Sequence, residues 1–314
     1  MAKPTYKTVT RTQGNNRALK EGAVTPSTFD FAFEEIPVLV KGFRRMVRDL
    51  EFDICEMALT TYICAREHGV KFTALPIFLV RNFHHATSIH NIHADIQSPK
   101  DFEGRRVGVQ NGYTKTGGVW GRGILQDDYD VDLSAVTWVL SGDEHVSTYE
   151  APDNVVPIEP GKDMGEMLAS GELAAAVGMT FDHPDVRSII PDAFEAAVSA
   201  MKTRGLYPIN HLVVVRDELL DENPDLAVDI FETFAASKKL YVEQLKAGGI
   251  DEPTKIDQIH LRALEVMDDP LPYGIEPSRA VLEQLIAHAR TQMIINQDVD
   301  VDSLFAAPTR GLIA

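Results

Sequence analysis

The chain has 314 residues, 44% hydrophobic and 25% charged. That makes one large domain or two lobes of roughly 100–200 residues each, with core enough to need no staple. A formal charge of −17 repels phosphate backbones and anionic lipid, so nucleic-acid and membrane partners are not expected; an anionic small substrate held by cations in a cleft stays open.

Met1 to Arg17 is polar and lacks the apolar core of a signal peptide. No apolar run approaches the ~20 residues that span a bilayer. A cytoplasmic protein is expected. Arg17–Lys20 opens a first helix, and Phe29, Phe31 and Phe33 alternate as in a strand. Val40, Phe43, Met46, Val47 and Leu50 recur at helical spacing. Phe52–Ile54 reads as a short strand before a helix to about Glu67. Cys55 and Cys64 fall in that helical stretch, roughly 13 Å apart along its axis, too far for a disulfide. Ala74–Val80 is a buried strand. Ser98, Pro99 and Gly104 cap, open and close a short helix.

Arg105–Val109 is then a strand, residues 115–126 a helix and Val136–Leu140 another strand. Met164–Ser170 is helical and ends at Gly171, before a strand over Leu173–Val177. His211–Val215 is a strand, and a long helix starts at Pro224. Leu282, Leu285, Ile286, Ala289 and Met293 mark a final amphipathic helix. Strands alternating with helices predict an α/β protein with mostly parallel sheets.

Ser98–Val109, Ser170–Val177 and His211–Glu218 with Glu222-Asn223-Pro224 resemble the second-lobe start, a later helix-to-strand turn and the return strand and helix of type 2 periplasmic-binding-protein folds. More specific are Glu51–Leu59, Leu75-Pro76-Ile77-Phe78 through Arg81-Asn82-Phe83-His84-His85, Val119–Leu125, Pro208–His211 and Asp269–Glu276. Their order and spacing, over roughly residues 14–295, resemble the 4,5-dihydroxyphthalate decarboxylase family. The chain departs where the family shows Arg-His, here His84-His85, and Pro-Ile-Met-His, here Pro208-Ile209-Asn210-His211.

The resemblance implies two lobes, each a mostly parallel sheet flanked by helices, with the ligand cleft between them. Residues 1–92 and 213–314 would form one lobe and 93–212 the other. It also implies a reaction that removes one carboxylate from a catechol bearing two. Each carboxyl lies para to a hydroxyl, so drawing a proton from that hydroxyl pushes electrons onto the carboxyl-bearing carbon. The site then needs a cradle for carboxylates, a base near the hydroxyls and an acid near the ring. No organic cofactor is required, because the phenol is the electron source.

Asn111–Gly118 follows a strand and opens a helix, which suits an anion on free backbone N–H groups. Thr114 and Thr116 add hydroxyls and Lys115 a charge; the plain alternative is a strand–turn–helix join with a capping threonine. Gly117, Gly118, Gly121 and Gly123 spell neither G-x-G-x-x-G nor a P-loop, so no nucleotide site is expected. In a helix each costs up to ~1 kcal/mol relative to alanine, which points to close packing first and close ligand approach second. Arg17, at a first turn, and Arg81, at the end of a buried strand, are candidate carboxylate ligands; a buried charge needs a partner.

Glu56, expected at a strand-to-helix turn, is a base or acceptor for a catechol hydroxyl, or a helix-start carboxylate. In an extended segment His84 and His85 point to opposite faces, and the family position selects His85. His211 sits on the return strand beside the outgoing one, so His85 and His211 are paired proton-donor candidates. Tyr273 lines the pocket or packs in the core. A divalent metal, if bound, would take His85, His145, His211 and Glu56, although no compact metal motif is present. Asp298–Ser303 lacks the glycine and glutamate of a calcium loop and reads as a solvated acidic tail. Asp127, Asp128, Asp130 and Asp132 read as a surface turn. The leading reading is a carboxy-lyase acting on a small aromatic dicarboxylate. A solute-binding protein for a small organic acid, or a sibling enzyme on a different aromatic acid, are the alternatives. The sequence is silent on oligomeric state.

Overall fold

The computed structural model describes residues 3–314. The chain runs β1 (Thr5–Val9), α1 (Arg17–Lys20), β2 (Asp30–Phe33), α2 (Leu39–Asp49), β3 (Ile54–Ala58), α3 (Leu59–Glu67) and β4 (Phe72–Arg81). It continues through β5 (Ser88–Asn91), β6 (Arg106–Val109), α4 (Thr116–Tyr129), β7 (Thr137–Leu140), β8 (Val155–Pro157), α5 (Met164–Ala169), β9 (Ala175–Val177), β10 (Val186–Ser188) and α6 (Ala193–Arg204). It ends with β11 (Ile209–Arg216), α7 (Asp217–Glu222), α8 (Leu226–Lys246), α9 (Lys255–Ala263) and α10 (Arg279–Thr291).

Two compact units result. The first holds the chain through Asn82, Ile209–Glu283 and Asp298–Ala314; the second holds Phe83–Pro208 and Gln284–Gln297. The expected division fell after residues 92 and 212. The structure changes units earlier because β5 pairs in the second sheet and β11 starts in the first at Ile209.

The first sheet has the order β2-β1-β3-β11-β4. Strand β1 runs parallel to β2 and β3, while β11 enters antiparallel to both β3 and β4. The second sheet has the order β10-β5-β9-β6-β7-β8, with β5 antiparallel to β9 and β10 and the rest parallel. Both sheets are therefore mixed rather than mostly parallel. Strand direction follows from crossover geometry, which residue periodicity does not encode.

In the first unit β3 is buried along its whole length, as expected of a strand covered on both faces. It runs on to Ala58 instead of stopping at Ile54, so Cys55 and Glu56 are strand residues. Both cysteines are buried and free. Helix α8 packs on β4 and on the turn Gly14–Asn16. That approach needs a glycine: a Cβ on Gly14 would stand 2.1 Å from the Tyr241 ring. The Tyr241 hydroxyl donates to Asp257 (2.6 Å) and meets His260 Nδ1 at 2.7 Å. The acidic stretch near the C-terminus is not a solvated tail. Asp300 caps a 3-10 turn over Val301–Leu304, and Val301, Leu304 and Phe305 are buried. Tyr62 donates to the Leu304 carbonyl.

In the second unit, α5 lays Met164, Met167 and Leu168 on Ile89, Val139 and Ala176 of the sheet. Ser98 and Asp101 form a reciprocal capping box around the turn Pro99–Phe102. The helix α4 glycines are sites of close packing, as expected. A Cβ on Gly121 would meet Val177 at 2.6 Å, and one on Gly123 would meet the His288 ring at 2.5 Å. Asp127 and Asp128 belong to α4 rather than to a surface turn. No helix of the described residues is long and apolar enough to cross a membrane.

Two outcomes are expected. Gly14→Ala forces a methyl into the Tyr241 ring and costs about 1–3 kcal/mol, read by chemical denaturation. Burial pushes the His260 imidazole down from 6.5 to about 4. Between those values the unfolded chain binds a proton that the folded chain refuses. This contribution to stability is fully present above pH 6.5 and is lost as pH falls toward 4, by up to roughly 3 kcal/mol. Denaturation curves of His260→Gln should be flatter in that window by a comparable amount.

Candidate functional site

Register in the first sheet decides which side chains meet. Glu56 on β3 lies opposite Val213 on β11. His211 is two residues from Val213, so it shares a face with Glu56 and reaches it diagonally. The His211 Nδ1 to Glu56 Oε1 distance is 2.6 Å. The second carboxylate oxygen accepts from the Arg11 backbone N–H at 2.9 Å. Glu56 is completely buried, whereas the His211 side chain retains 17% exposure. Phe43 stands edge-on to the His211 ring at 5.2 Å. A carboxylate on Nδ1 fixes the tautomer and turns Nε2 into the working nitrogen.

Strands β1, β3 and β4 end at the edge of the sheet where β11 begins. Arg81, the last residue of β4, is buried and donates to Ser278 Oγ at 2.7 Å. Buried Asn15 donates to the Leu79 carbonyl at 2.8 Å. Arg17 is exposed and forms no ion pair among the described residues. Tyr273 is fully buried, and its hydroxyl has no hydrogen-bond partner among the described residues. Burial, and then Asp269 and Glu56, push its phenol well above the usual range. Lys238 places its ammonium 4.9 Å from the Tyr273 ring centre and pairs with Asp269 at 2.5 Å. Burial pulls that ammonium down.

The second unit holds the other candidates. His84 and His85 are not in extended chain: His85 opens the 3-10 turn His85–Thr87, and both rings are buried. His85 Nε2 stands 3.8 Å from Asp128, which Arg204 grips at 2.6 and 2.9 Å. Burial pushes Asp128 up, but its bonds to His85 and Arg204 outweigh this and leave it lowered. His145 is buried in this unit. Among the described residues no three His, Cys, Asp or Glu side chains are grouped to hold a metal ion. Within the first unit Glu56 and His211 pair with each other, and within the second His85 stands against Asp128.

The turn before α4 is built as an anion cradle, with Asn111 at φ +67°. It already holds a carboxylate. Glu144 accepts from the backbone N–H groups of Tyr113 and Thr114 and from Thr114 Oγ1, the last at 2.6 Å. Lys115 reaches Gln110 Oε1 at 3.3 Å, and burial pulls its ammonium down. Thr116 opens the helix and is buried. Beneath the turn lies Arg122, fully buried, bonded to the Tyr113 carbonyl (2.7 Å) and Gln292 Oε1 (2.8 Å). Its guanidinium lies 3.8 Å from the centre of the Tyr113 ring.

This chain is 29% identical to a protein of Comamonas testosteroni named 4,5-dihydroxyphthalate decarboxylase, over 84% of each chain. It is 34% identical to a Pseudomonas putida protein of the same name, over 49% of this chain and 65% of that one. The chain is a relative of proteins named 4,5-dihydroxyphthalate decarboxylase. No protein-family model matches it. Among solved structures it is similar to the periplasmic aliphatic sulphonate binding protein SsuA of Escherichia coli, at 11% identity and TM-score 0.54, covering 98% of this chain and 99% of that one. It is also similar to the Candida albicans CA3427 gene product, described as having the generic periplasmic binding protein fold, at 11% identity and TM-score 0.56, covering 95% and 93%. The fold expected from the sequence is thus the fold found.

Against those relatives, the expected residues divide between the units. Arg17, Glu56, Arg81, His211 and Tyr273 belong to the first; His85, Thr114, Lys115, Thr116 and His145 belong to the second. Sequence reasoning passed over Ser278, Lys238, Glu144 and Arg122. Of these only Arg122 carried a signal, a charge within a run of glycines and apolar residues on α4. Removing the buried carboxylate with Glu56→Ala strands the Arg11 N–H and His211 Nδ1. It should cost about 2–3 kcal/mol, whereas Glu56→Gln keeps an acceptor and costs less, both read by urea denaturation.

Proposed function

We propose that the protein is a carboxy-lyase that removes one carboxyl group from a hydroxylated benzene dicarboxylate. The substrate would be 4,5-dihydroxyphthalate, giving protocatechuate and CO2, or a close analogue. The observation that carries this reading is the Glu56–His211 pair at 2.6 Å, in which a fully buried carboxylate holds Nδ1 of a partly exposed imidazole and leaves Nε2 for chemistry. The names of the two relatives support it. Both oxygens of Glu56 are engaged, so in this reading it acts through His211 as a positioning residue rather than meeting the hydroxyl itself.

The chemistry then follows from the substrate. His211 Nε2 takes the proton of the hydroxyl para to the departing carboxylate, and Glu56 stabilises the imidazolium. The oxyanion pushes its electron pair through the ring to the carboxyl-bearing carbon. That carbon takes a proton, for which His85 and the His211 imidazolium are the candidate donors. The C–C bond breaks, CO2 leaves, and the bonding pair returns to the ring as aromaticity is restored and the phenol is reprotonated. Arg17, Arg81, Tyr273 and the Thr114–Thr116 turn with Lys115 are assigned to holding the substrate. The phenol supplies the electrons, so no organic cofactor is needed.

The test is incubation with 4,5-dihydroxyphthalate, following CO2 and protocatechuate with and without a chelator. Turnover is expected, and chelator sensitivity would bring a divalent metal into the mechanism. His211→Ala should lower kcat about 10²–10⁴-fold with an unchanged circular dichroism spectrum, and His85→Ala should do so if His85 is the donor. A ligand-induced rise in Tm without product would instead favour a solute-binding protein, like the sulphonate-binding structural neighbour.

A further inference from the structure

The turn before α4 is filled from within. Glu144 comes from the connection between β7 and β8, a strap over Ser141–Glu150 that contains no helix or strand. Two glycines let the strap in. A Cβ on Gly112 would stand 2.5 Å from Glu144 Oε2, and one on Gly142 would stand 3.3 Å from the Asn111 Cα. Arg122 is an independent sign of an anion site. It is a fully buried guanidinium with no carboxylate bonded to it among the described residues. Its Nη1 has no hydrogen-bond partner there. A buried cation left without a paired anion is costly, and Glu144 is the carboxylate whose charge reaches it. The same two backbone N–H groups and one hydroxyl would serve any planar carboxylate equally well.

We infer that Glu144 is a displaceable internal ligand: its carboxylate occupies the site that an aromatic carboxylate takes on binding, and the strap leaves the turn as the ligand enters. This rests on the reading of Thr114–Thr116 as a substrate-carboxylate site, and it adds a competitor and a moving part. Ligand affinity is then lowered by the fraction of molecules in which the turn is filled. Removing the Glu144 charge lifts that penalty.

The experiment measures binding of phthalate, with benzamide as the neutral control, to the full chain by calorimetry. E144Q and E144A should each bind phthalate about tenfold more tightly than the parent, with no gain for benzamide. Adding T114V to E144Q should remove the gain, which separates this turn from Arg17 and Arg81. In the parent protein, saturating phthalate should speed hydrogen exchange across residues 141–150. Unchanged or weaker phthalate binding in folded variants overturns the inference. So does a gain that survives T114V, greater protection of the strap on binding, or failure of both variants to fold. Decarboxylation is scored separately. Tighter phthalate binding without turnover of 4,5-dihydroxyphthalate keeps this inference and removes the proposed reaction; turnover with no affinity gain does the reverse.

Discussion

The arrangement in the first unit depends on one strand direction. β11 enters antiparallel between β3 and β4, so it starts at the edge where they end. Were it parallel, its first residues would lie at the opposite edge, and His211 would be a strand length away from Glu56 and Arg81. Because β11 is antiparallel, the polar residues that open it sit beside the ends of two otherwise apolar strands. The same register leaves Leu212, Val213, Val214 and Val215 completely buried. The strand that builds the core therefore also carries the imidazole that pairs with Glu56. A one-residue slip would turn His211 to the other face of the sheet and separate it from Glu56.

The two units solve the problem of a buried charge in different ways. In the first, the Glu56 carboxylate is given a hydrogen-bond donor on each oxygen, so it stays fully buried as a fixed element. In the second, the Arg122 guanidinium is given neutral partners, a carbonyl, an amide oxygen and the face of Tyr113. Burial pulls its charge down. Neutral acceptors and a ring face soften the cost of burying a cation without cancelling its field. Positive potential beneath a turn whose N–H groups already hold the Glu144 carboxylate is what an anion site requires.

How much of this was legible follows from how local each feature is. The helix over Leu39–Asp49 is marked by apolar residues at helical spacing, and the strand over Ile209–Arg216 by a continuous run of leucine and valines. Glu56 stands out chemically in the sequence, but the stretch Phe52 to Leu59 stays in strand to Ala58 where residue pattern alone predicts an earlier helix. Its residues suit either state, and pairing with β1 and β11 settles the matter. The strand Thr5–Val9 hid in a polar start because its five residues, Thr-Tyr-Lys-Thr-Val, show neither a clear alternation nor an apolar run. Glu144 carried no signal at all. It meets Thr114 across 30 residues, and nothing near either residue announces the other. The acidic stretch near the C-terminus failed for the opposite reason. Asp298 and Asp300 are exposed, as an acidic stretch suggests, but Val301, Leu304 and Phe305 anchor it in the core.

A net charge of −17 bears on partners approaching from solution, not on what the interior attracts. At physiological salt the field of exposed carboxylates decays within about 8 Å, whereas a buried cation is hardly screened. Arg81, Arg122 and Lys238 are each almost completely withdrawn from solvent, at places where an apolar side chain would pack at lower cost. Two of the three lie beside a tyrosine ring, Arg122 against Tyr113 and Lys238 against Tyr273. A flat aromatic surface next to a partly compensated cation is complementary to an aromatic acid in both of its parts, ring and carboxylate. An acidic exterior is therefore compatible with the proposed binding of an aromatic carboxylate by the same chain.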